Sequence, residues 1–344
     1  MERREFLAAT GTVMALGGMT MTNGAEAKAN PVTFFDLPGT PRLQMRRRGR
    51  KGGKPVLYIH GATFPSAVSV GYRFADGKSW EDHLHHDGFD VWALDFEGFG
   101  GSDRPAAFDQ PADVSTIPLR SMEAAQQIAR AVQFLREQTR QSRVSMIAHS
   151  WGGVPAARYA SDHADTLDKL VLFAPALYRP APATPQPMGN NLPDPAKIPA
   201  WRNLTVVEQL ARFVHDTPKG HPSVLAEPAL DCWGPAWLAT DKNAATHTPP
   251  AVKVPTGPQA DIMALWTGAD LYDPAALKTP TLIVRGEWDS VCSAADVERV
   301  QSRMVNAKVQ SKIIPTSGHL AHIEMNRTML WAATNGFLRG AGKK

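Results

Sequence analysis

The sequence predicts an α/β protein whose mostly parallel central sheet is flanked by helices. Short, nearly continuous apolar runs recur along the chain, as expected for strands that are buried on both faces. Longer stretches with helical spacing of apolar residues separate these runs, which is the alternation typical of parallel sheets. The alternation stops between residues 178 and 272, where the chain is rich in proline and contains four tryptophans. We therefore expect an inserted cap over the C-terminal edge of the sheet.

The composition is that of a soluble globular protein with ample material for a core, since 43% of the 344 residues are hydrophobic and 20% are charged. Much of the formal net charge of +4 comes from the run RRRGRKGGK at residues 46–54. Glycines interrupt this run, and no aromatic residue is interleaved with it for base stacking. We therefore expect a solvated hairpin tip here and no nucleic-acid partner.

The first 29 residues resemble a bacterial twin-arginine export signal. Arg3 and Arg4 precede a mildly apolar stretch rich in Ala, Gly and Thr, and small residues follow at Ala25, Ala27 and Ala29. The resemblance implies cleavage after Ala27 or Ala29, contact with the twin-arginine translocase during export, and a periplasmic or secreted location. No other apolar run approaches the roughly 20 residues that span a bilayer, so we expect no membrane anchor.

Six apolar runs are predicted strands, and three periodic stretches are predicted helices. The strands are PVLYIH (55–60), FDVWALD (89–95), VSMIAH (144–149), KLVLFAP (169–175), PTLIVRG (280–286) and KVQSKIIP (308–315). The helices lie at 121–140, 294–304 and 327–338. Ser121 is placed to cap the first of these helices.

The stretch at 178–272 does not fit a regular strand-helix unit. Its first part, YRPAPATPQPMGNNLPDPAKIP, carries too many prolines, while the large apolar residues further on argue against a disordered linker. The tryptophans need a surface to pack against, so we expect them mainly in the core of the cap, and they are also candidates for substrate contact. They are Trp201, Trp233, Trp237 and Trp266.

The run VSMIAHSWGG at residues 144–153 predicts a nucleophilic serine. A strand that runs into Ser150 and a helix that begins near Trp151 place the serine hydroxyl at the tip of a tight turn. Such a turn crowds the residues two before and two after the serine, so both must be small. Ala148 and Gly152 meet this requirement, although Ala148 stands where the usual G-x-S-x-G pattern has glycine.

Two later strands supply the partners that a serine nucleophile needs. Asp289 follows the strand at 280–286, and His319 follows the last strand. This order of serine, acid and histidine resembles the α/β-hydrolase superfamily, in its branch with a cap after the sixth strand.

The resemblance covers about residues 42–178 and 273–338. It implies an α/β-hydrolase fold with a core formed by 30–177 and 273–344, a cap at 178–272, and a signal peptide at 1–29 that precedes them.

Two further motifs resemble loops of this superfamily. YIHGA at 58–62 matches its histidine-glycine motif, which implies that the backbone N–H groups of Ala62 and Trp151 form an oxyanion hole. DFEGFGGSDRP at 95–105 matches a glycine-rich turn, in which Asp95 and Ser102 are structural residues.

The acid and the base each have a competitor nearby in the sequence. Glu287 is the alternative acid, but Asp289 stands at the position that matches the superfamily. His322 is the alternative base, but it falls about one turn later, whereas His319 directly follows a glycine. His149 is expected to pack beneath the turn.

The resemblance implies an exported serine hydrolase that cleaves a carboxylic ester, with a small apolar or aromatic substrate, through a Ser-His-Asp triad and an acyl-enzyme. Hydrolysis of a carbon–carbon bond, a lactone or an amide, acyl transfer, and cofactor-free haloperoxidase chemistry are alternatives on the same fold. A binding protein on this fold is the non-enzymatic alternative. The triad mechanism requires no metal and no organic cofactor. The oligomeric state and the pairing of Cys232 with Cys292 are left open.

Overall fold

The structure, a computed structural model, describes residues 31–113, 115–181 and 198–340. The strands of its central sheet are β1 (Val32–Leu37), β2 (Leu43–Arg48), β3 (Lys54–Ile59), β4 (Phe89–Asp95), β5 (Val144–His149), β6 (Leu167–Phe173), β9 (Thr281–Gly286) and β10 (Val309–Ile314). They lie in the order β1-β2-β4-β3-β5-β6-β9-β10. The pairs β1–β2 and β2–β4 are antiparallel and all other pairs of this sheet are parallel, which confirms the predicted mostly parallel sheet.

Helices flank this sheet, as predicted. The helices of the described residues are α1 (Trp80–His86), α2 (Ser121–Thr139), α3 (Gly153–Asp162), α4 (Val206–Phe213), α5 (Trp233–Leu238), α6 (Gly257–Trp266), α7 (Ala294–Arg303) and α8 (Arg327–Arg339). Of these, α1, α2, α3 and α8 pack against strands of the central sheet. Helix α2 packs against α3, and α1 packs against α8. Their apolar faces and the buried strands form one hydrophobic core.

The basic run at 46–54 does not form the predicted hairpin tip. Its first three arginines lie in β2, a strand that the sequence patterns did not reveal, and only the residues between β2 and β3 form a turn. Acidic side chains from β4 and from α1 neutralise these arginines, which is why a strand can carry them. The ion pairs, by N–O distance, are Arg46–Glu81 at 2.8 Å, Arg47–Asp90 at 2.9 Å and Arg48–Asp82 at 2.9 Å.

A residue distant in sequence, Asp261, binds a backbone N–H group at the start of α2. The prediction that Ser121 is the N-cap is wrong, because the helix begins at Ser121 and Arg120 precedes it as the cap residue. The Asp261 carboxylate, on α6, accepts the backbone N–H of Ser121 at 2.7 Å, and Glu123 accepts that of Arg120 at 3.1 Å. These two carboxylates satisfy donors that a helix start leaves without intrahelical partners.

The described part of the predicted cap, residues 198–272, has a small antiparallel sheet of its own, formed by β7 (Trp201–Thr205) and β8 (Ala251–Pro255). Trp233 and Trp237 are buried, and their indole N–H groups donate to the carbonyl oxygens of Val68 at 2.8 Å and Thr63 at 3.2 Å. Both acceptors follow β3, so this segment packs on loops at the C-terminal edge of the parallel strands.

The remaining expectations concern the export signal, the two cysteines, a membrane anchor and a metal site. The predicted export signal lies outside the described residues. Cys232 is exposed, Cys292 is buried, and both are free thiols. Within the part of the chain that the structure describes, no helix is long and apolar enough to cross a membrane, and no group of three or more His, Cys, Asp or Glu side chains is arranged to hold a metal ion.

Candidate active site

Ser150 lies on a sharp turn between β5 and α3. Its backbone φ of +55° falls in the left-handed region, which a residue other than glycine adopts only when the surrounding structure imposes it. Ala148 is fully buried, and a Cβ atom at Gly152 would lie 2.3 Å from the carbonyl oxygen of His60. The turn therefore leaves no room for a side chain at Gly152 and encloses the methyl group of Ala148.

The structure brings Ser150, His319 and Asp289 into one chain of hydrogen bonds. The Nδ1 atom of His319 lies 3.0 Å and 3.1 Å from the two carboxylate oxygens of Asp289. Because an ionised carboxylate only accepts hydrogen bonds, we assign the imidazole proton to Nδ1. The Nε2 atom of His319 then accepts the hydroxyl proton of Ser150, at an Oγ–Nε2 distance of 2.8 Å.

Asp289, and not Glu287, is the acid that meets the histidine. Asp289 is only 3% exposed, and its carboxylate also accepts the backbone N–H groups of Val291 and Cys292, both at 2.9 Å. These bonds fix the orientation of the carboxylate. Glu287 is exposed and accepts the backbone N–H of Thr316 at 2.9 Å, so its carboxylate is occupied elsewhere.

The surroundings of His319 adjust its basicity. Burial by itself lowers the pKa of this imidazole, but the charge and hydrogen bond of Asp289, with a further contribution from the charge of Asp216, raise it above its ordinary value. The positive charge of Arg212 acts in the opposite direction. A raised pKa makes the imidazole a better proton acceptor, which suits a general base.

The backbone N–H groups of Ala62 and Trp151 lie on the two loops that approach Ser150. A Cβ atom at Gly61 would lie 3.2 Å from the Cβ of Ser150, which shows how closely the loop after β3 approaches this serine. Neither the Ala62 nor the Trp151 N–H donates to an acceptor within the described ranges. Both donors are therefore available to a developing negative charge at this turn.

His60 has a structural role in the loop after β3. Its Nε2 accepts the backbone N–H of Phe96 at 3.1 Å, so Nδ1 carries the proton and donates to the carbonyl oxygen of Gly61 at 2.8 Å. Burial lowers the pKa of this imidazole, which favours the neutral form. The ring thus holds the loop that carries Ala62 and does not contact the triad through a hydrogen bond.

His149 and His322 form an aromatic cluster with Phe64 beneath His319. His149 donates to the carbonyl oxygen of His319 at 3.3 Å, and the rings of His149 and His322 lie 4.7 Å apart. The ring of His322 stacks on Phe64 at 6.0 Å, and neither of its nitrogens has a hydrogen-bond partner among the residues described. Burial, together with the charge of His319, lowers the pKa of His322 to about 3, so it stays neutral and packs rather than transfers protons.

Two of the predicted tryptophans, Trp233 and Trp237, lie beside the oxyanion loop. Their rings stack at 5.5 Å, and the Trp233 ring meets Phe213 at 4.8 Å and Phe64 at 5.4 Å, both edge-on. A hydrogen bond connects this apolar wall to the loop after β3, because the Trp237 indole N–H donates to the carbonyl oxygen of Thr63. These rings therefore combine packing of the cap segment with an apolar surface near the site.

The other two tryptophans contact residues outside the triad and its loops. Trp201 donates its indole N–H to the carbonyl oxygen of Gln110 at 3.0 Å. The guanidinium of Arg179 lies 4.1 Å from the centre of the Trp266 ring. These contacts are those of packing residues.

The sequence patterns missed three contacts between the cap segment and the site. Gln209 of α4 donates to the hydroxyl of Thr63 at 2.9 Å, and Asp261 of α6 accepts the indole N–H of Trp151 at 3.0 Å. Asp216 accepts the hydroxyl of Ser290, next to the acid. A single polar residue in a region without periodic patterning gives no sequence signal that could have identified it.

Residues 54–325 match the profile of a family described as the alpha/beta hydrolase fold. The match spans well over half of the chain, and the chain belongs to this family of enzymes. No curated protein sequence is significantly similar to the chain.

Solved structures with the same fold include several hydrolases. One is 2-hydroxy-6-oxo-6-phenylhexa-2,4-dienoate hydrolase from Rhodococcus sp. strain RHA1, which is 16% identical with a TM-score of 0.60, over 90% of this chain and 100% of that one. An esterase from Exiguobacterium antarcticum is 18% identical with a TM-score of 0.58, over 90% and 99%. A serine hydrolase from Cycloclasticus zankles, a polyaromatic hydrocarbon-degrading bacterium, is 15% identical with a TM-score of 0.61, over 91% and 100%. At these identities the likeness establishes the fold alone.

Proposed function

We propose that the protein is a serine hydrolase that cleaves a carboxylic ester of a small molecule through an acyl-enzyme on Ser150. The observation that carries the proposal is the unbroken hydrogen-bond chain from the Ser150 hydroxyl through His319 to Asp289. The apolar wall of Phe64, Phe213 and Trp233 supports an apolar or aromatic group in the substrate.

In the first half of the reaction, Nε2 of His319 takes the Ser150 proton while Oγ forms a bond to the carbonyl carbon of the ester. The carbonyl oxygen becomes an oxyanion, and the N–H groups of Ala62 and Trp151 stabilise it. Asp289 keeps the imidazole oriented and stabilises its positive charge. The bond to the alcohol oxygen then breaks, the alcohol leaves with the proton from Nε2, and the acyl group remains on Ser150.

In the second half, a water molecule gives a proton to Nε2 of His319 and attacks the acyl carbon. The same two N–H groups stabilise the second oxyanion. The bond between the acyl carbon and Ser150 Oγ breaks, Oγ recovers its proton from the imidazolium, and the carboxylic acid leaves. All protons return to their starting positions, so the cycle consumes only ester and water.

Hydrolysis of 4-nitrophenyl esters of increasing acyl length, with labelling by a fluorophosphonate, tests this proposal. We expect turnover by the wild type, loss of turnover in Ser150→Ala, and a single label on the peptide that contains Ser150. Ser161→Ala is the matched control, because its hydroxyl lies on α3 and donates only to the carbonyl oxygen of Ala157. Equal turnover by wild type and Ser150→Ala, or a label on another residue, contradicts the proposal. Anilides and lactones assayed beside the esters separate the alternative hydrolase reactions.

We also propose that the protein is exported through the twin-arginine route to the periplasm or beyond. The support is the sequence of residues 1–29, with its paired arginines and small-residue cleavage region. Replacing Arg3 and Arg4 together by lysine is expected to keep the protein in the cytoplasm of a bacterial host, as measured by fractionation. Arg140→Lys is the control, and export that persists without the paired arginines contradicts the assignment.

A further inference from the structure

Two arginines of the cap segment have no carboxylate partner among the residues that the structure describes. Arg202 is in β7 and Arg212 is in α4. Among the described residues, neither side chain forms an ion pair or hydrogen bond, unlike Arg120, which pairs with Asp261 at 2.6 Å. Glu208 is the acidic residue whose charge reaches Arg202, but its carboxylate is bound by the backbone N–H and hydroxyl of Thr205, both at 2.8 Å.

The contacts of α4 place Arg212 beside the reacting groups. Gln209, three residues earlier, bonds to Thr63, which follows the oxyanion residue. Asp216, four residues later, lies against Gly318, since a Cβ atom there would be 3.4 Å from the Cβ of Asp216. Gln209 and Arg212 are three residues apart in α4 and so share one side of that helix, which ends at Phe213 before the chain reaches Asp216. Arg212 therefore lies in the stretch of chain that runs between the two loops of the site.

The electrostatics agree with this placement. Arg212 is exposed to solvent, yet the surrounding protein, helped by the charge of Arg202, lowers its pKa to about 10. The charge of Arg212 also lowers the pKa of His319, so the guanidinium lies within electrostatic reach of that imidazole.

Arg202 lies on the inner face of β7. Side chains two apart on a strand point to the same face, and Leu204 is buried in the core with 4% of its surface exposed. Trp201, on the opposite face, bonds to Gln110 instead. Burial lowers the pKa of Arg202, and its charge lowers that of Arg212, so the two guanidinium groups lie within electrostatic reach of each other.

Two like charges that are partly removed from water and lack counter-ions are unfavourable unless an anion joins them. Guanidinium groups bind carboxylates through two parallel hydrogen bonds, and they do so best where water is partly excluded. We propose that Arg212, assisted by Arg202, binds a carboxylate of the substrate, so that the ester cleaved at Ser150 carries a carboxylate in its acyl or its alcohol part. The proposal rests on the proposed ester hydrolase function.

Matched pairs of neutral and anionic esters test the proposed carboxylate site. One pair is 4-nitrophenyl valerate and mono-4-nitrophenyl glutarate, which differ by a carboxylate in the acyl part. The other is phenyl acetate and 4-acetoxybenzoate, which differ by a carboxylate in the alcohol part. We expect the wild type to prefer the anionic ester in at least one pair. In Arg212→Gln the ratio of kcat/KM for anionic over neutral ester should fall by about 10- to 100-fold, mainly through KM.

Controls separate this effect from general charge and from folding. Lys242→Gln removes a positive charge from the same segment at an exposed position and should leave the ratio at its wild-type value. Arg212→Lys keeps the charge but loses the two-pronged geometry, so its ratio should be intermediate. Arg202→Gln should reduce the ratio less than Arg212→Gln. A ratio that Arg212→Gln leaves unchanged in both ester pairs overturns the proposal, even if ester hydrolysis itself is observed.

A binding measurement keeps the two proposals distinguishable. Mono-4-nitrophenyl glutarate and 4-acetoxybenzoate are titrated calorimetrically into full-length Ser150→Ala protein, which cannot form the acyl-enzyme. At least one should bind, and adding Arg212→Gln should weaken that binding by about 10- to 100-fold. If no ester is hydrolysed by the wild type but this binding and its loss are observed, the hydrolase proposal fails while the carboxylate site stands. If neither anionic ester binds, the carboxylate site fails.

Discussion

Gly152→Ala is expected to disable the site without removing any proposed catalytic group. The new Cβ atom would lie 2.3 Å from the carbonyl oxygen of His60 and 3.1 Å from its carbonyl carbon. Gly152 has φ −55° and ψ −22°, a conformation that alanine adopts freely, so backbone strain does not contribute. The effect of the substitution is therefore purely steric.

The size of the effect follows from that distance. Because Cβ contacts below 3.0 Å are essentially never observed, the turn after β5 and the loop after β3 must separate by about 0.7 Å. The two loops carry the N–H groups of Ala62 and Trp151, so the displacement spreads the oxyanion donors apart. A displacement of about 1 Å costs about 100-fold in rate, and we expect a fall in kcat of that order. Overpacking should also lower the free energy of unfolding by about 1–3 kcal/mol.

Steady-state kinetics on a 4-nitrophenyl ester, with urea unfolding of the same samples, measures both quantities. Gly336→Ala is the matched control, because it lies in α8 and a Cβ atom there has nothing within 4 Å. That control should keep kcat and raise the free energy of unfolding by about 0.5–1 kcal/mol. A folded Gly152→Ala enzyme with wild-type kcat would refute the reasoning.

Three further predictions concern the acid, the base and the cap segment. Asp289→Asn should lower kcat by about 10,000-fold, since the imidazole loses its orienting carboxylate, whereas Glu287→Gln should change it little; the opposite order in steady-state assays would overturn the choice of acid. Asp216→Asn removes a charge that raises the pKa of His319, so the acidic limb of the kcat/KM–pH profile should move to lower pH, and a shift to higher pH would contradict this. Trp237→Phe loses a buried indole hydrogen bond and should lower the free energy of unfolding by about 1–3 kcal/mol in urea titrations; an unchanged midpoint and slope would show that the bond does not stabilise the fold.

The sequence predicted the sheet, and it placed the candidate residues Ser150, Asp289 and His319 in loops after three of its strands, because those strands have clear apolar runs. Parallel strands end at one edge of a sheet, so residues distant in the chain are brought together by a pattern that is visible locally. The strand β2 escaped prediction because its LQMRRR sequence reads as a charged turn. Its charges are tolerated only through acidic partners on other elements, which no local pattern reveals.

The contacts of the cap segment were beyond prediction for a different reason. Gln209 bonds to Thr63 across 146 residues, and Asp261 bonds to Trp151 across 110 residues. Such pairs depend on how stretches distant in the chain pack together, and neither Gln209 nor Asp261 stands in a motif. The proposed role of Arg212 belongs to the same class, since no sequence motif marks this residue.

The position of Asp261 has a consequence for how enzymes of this architecture can change. Its carboxylate joins the indole of Trp151, on the turn that carries Ser150, to the start of α2, so residues 198–272 supply part of the support of the candidate site. A chimera that exchanges the whole segment with that of a relative would remove this support together with the old specificity. Point substitutions that retain Asp261 should therefore change the substrate specificity with less loss of turnover than exchange of the whole segment. A grafted segment that carries an aspartate at this position should keep turnover that other grafts lose.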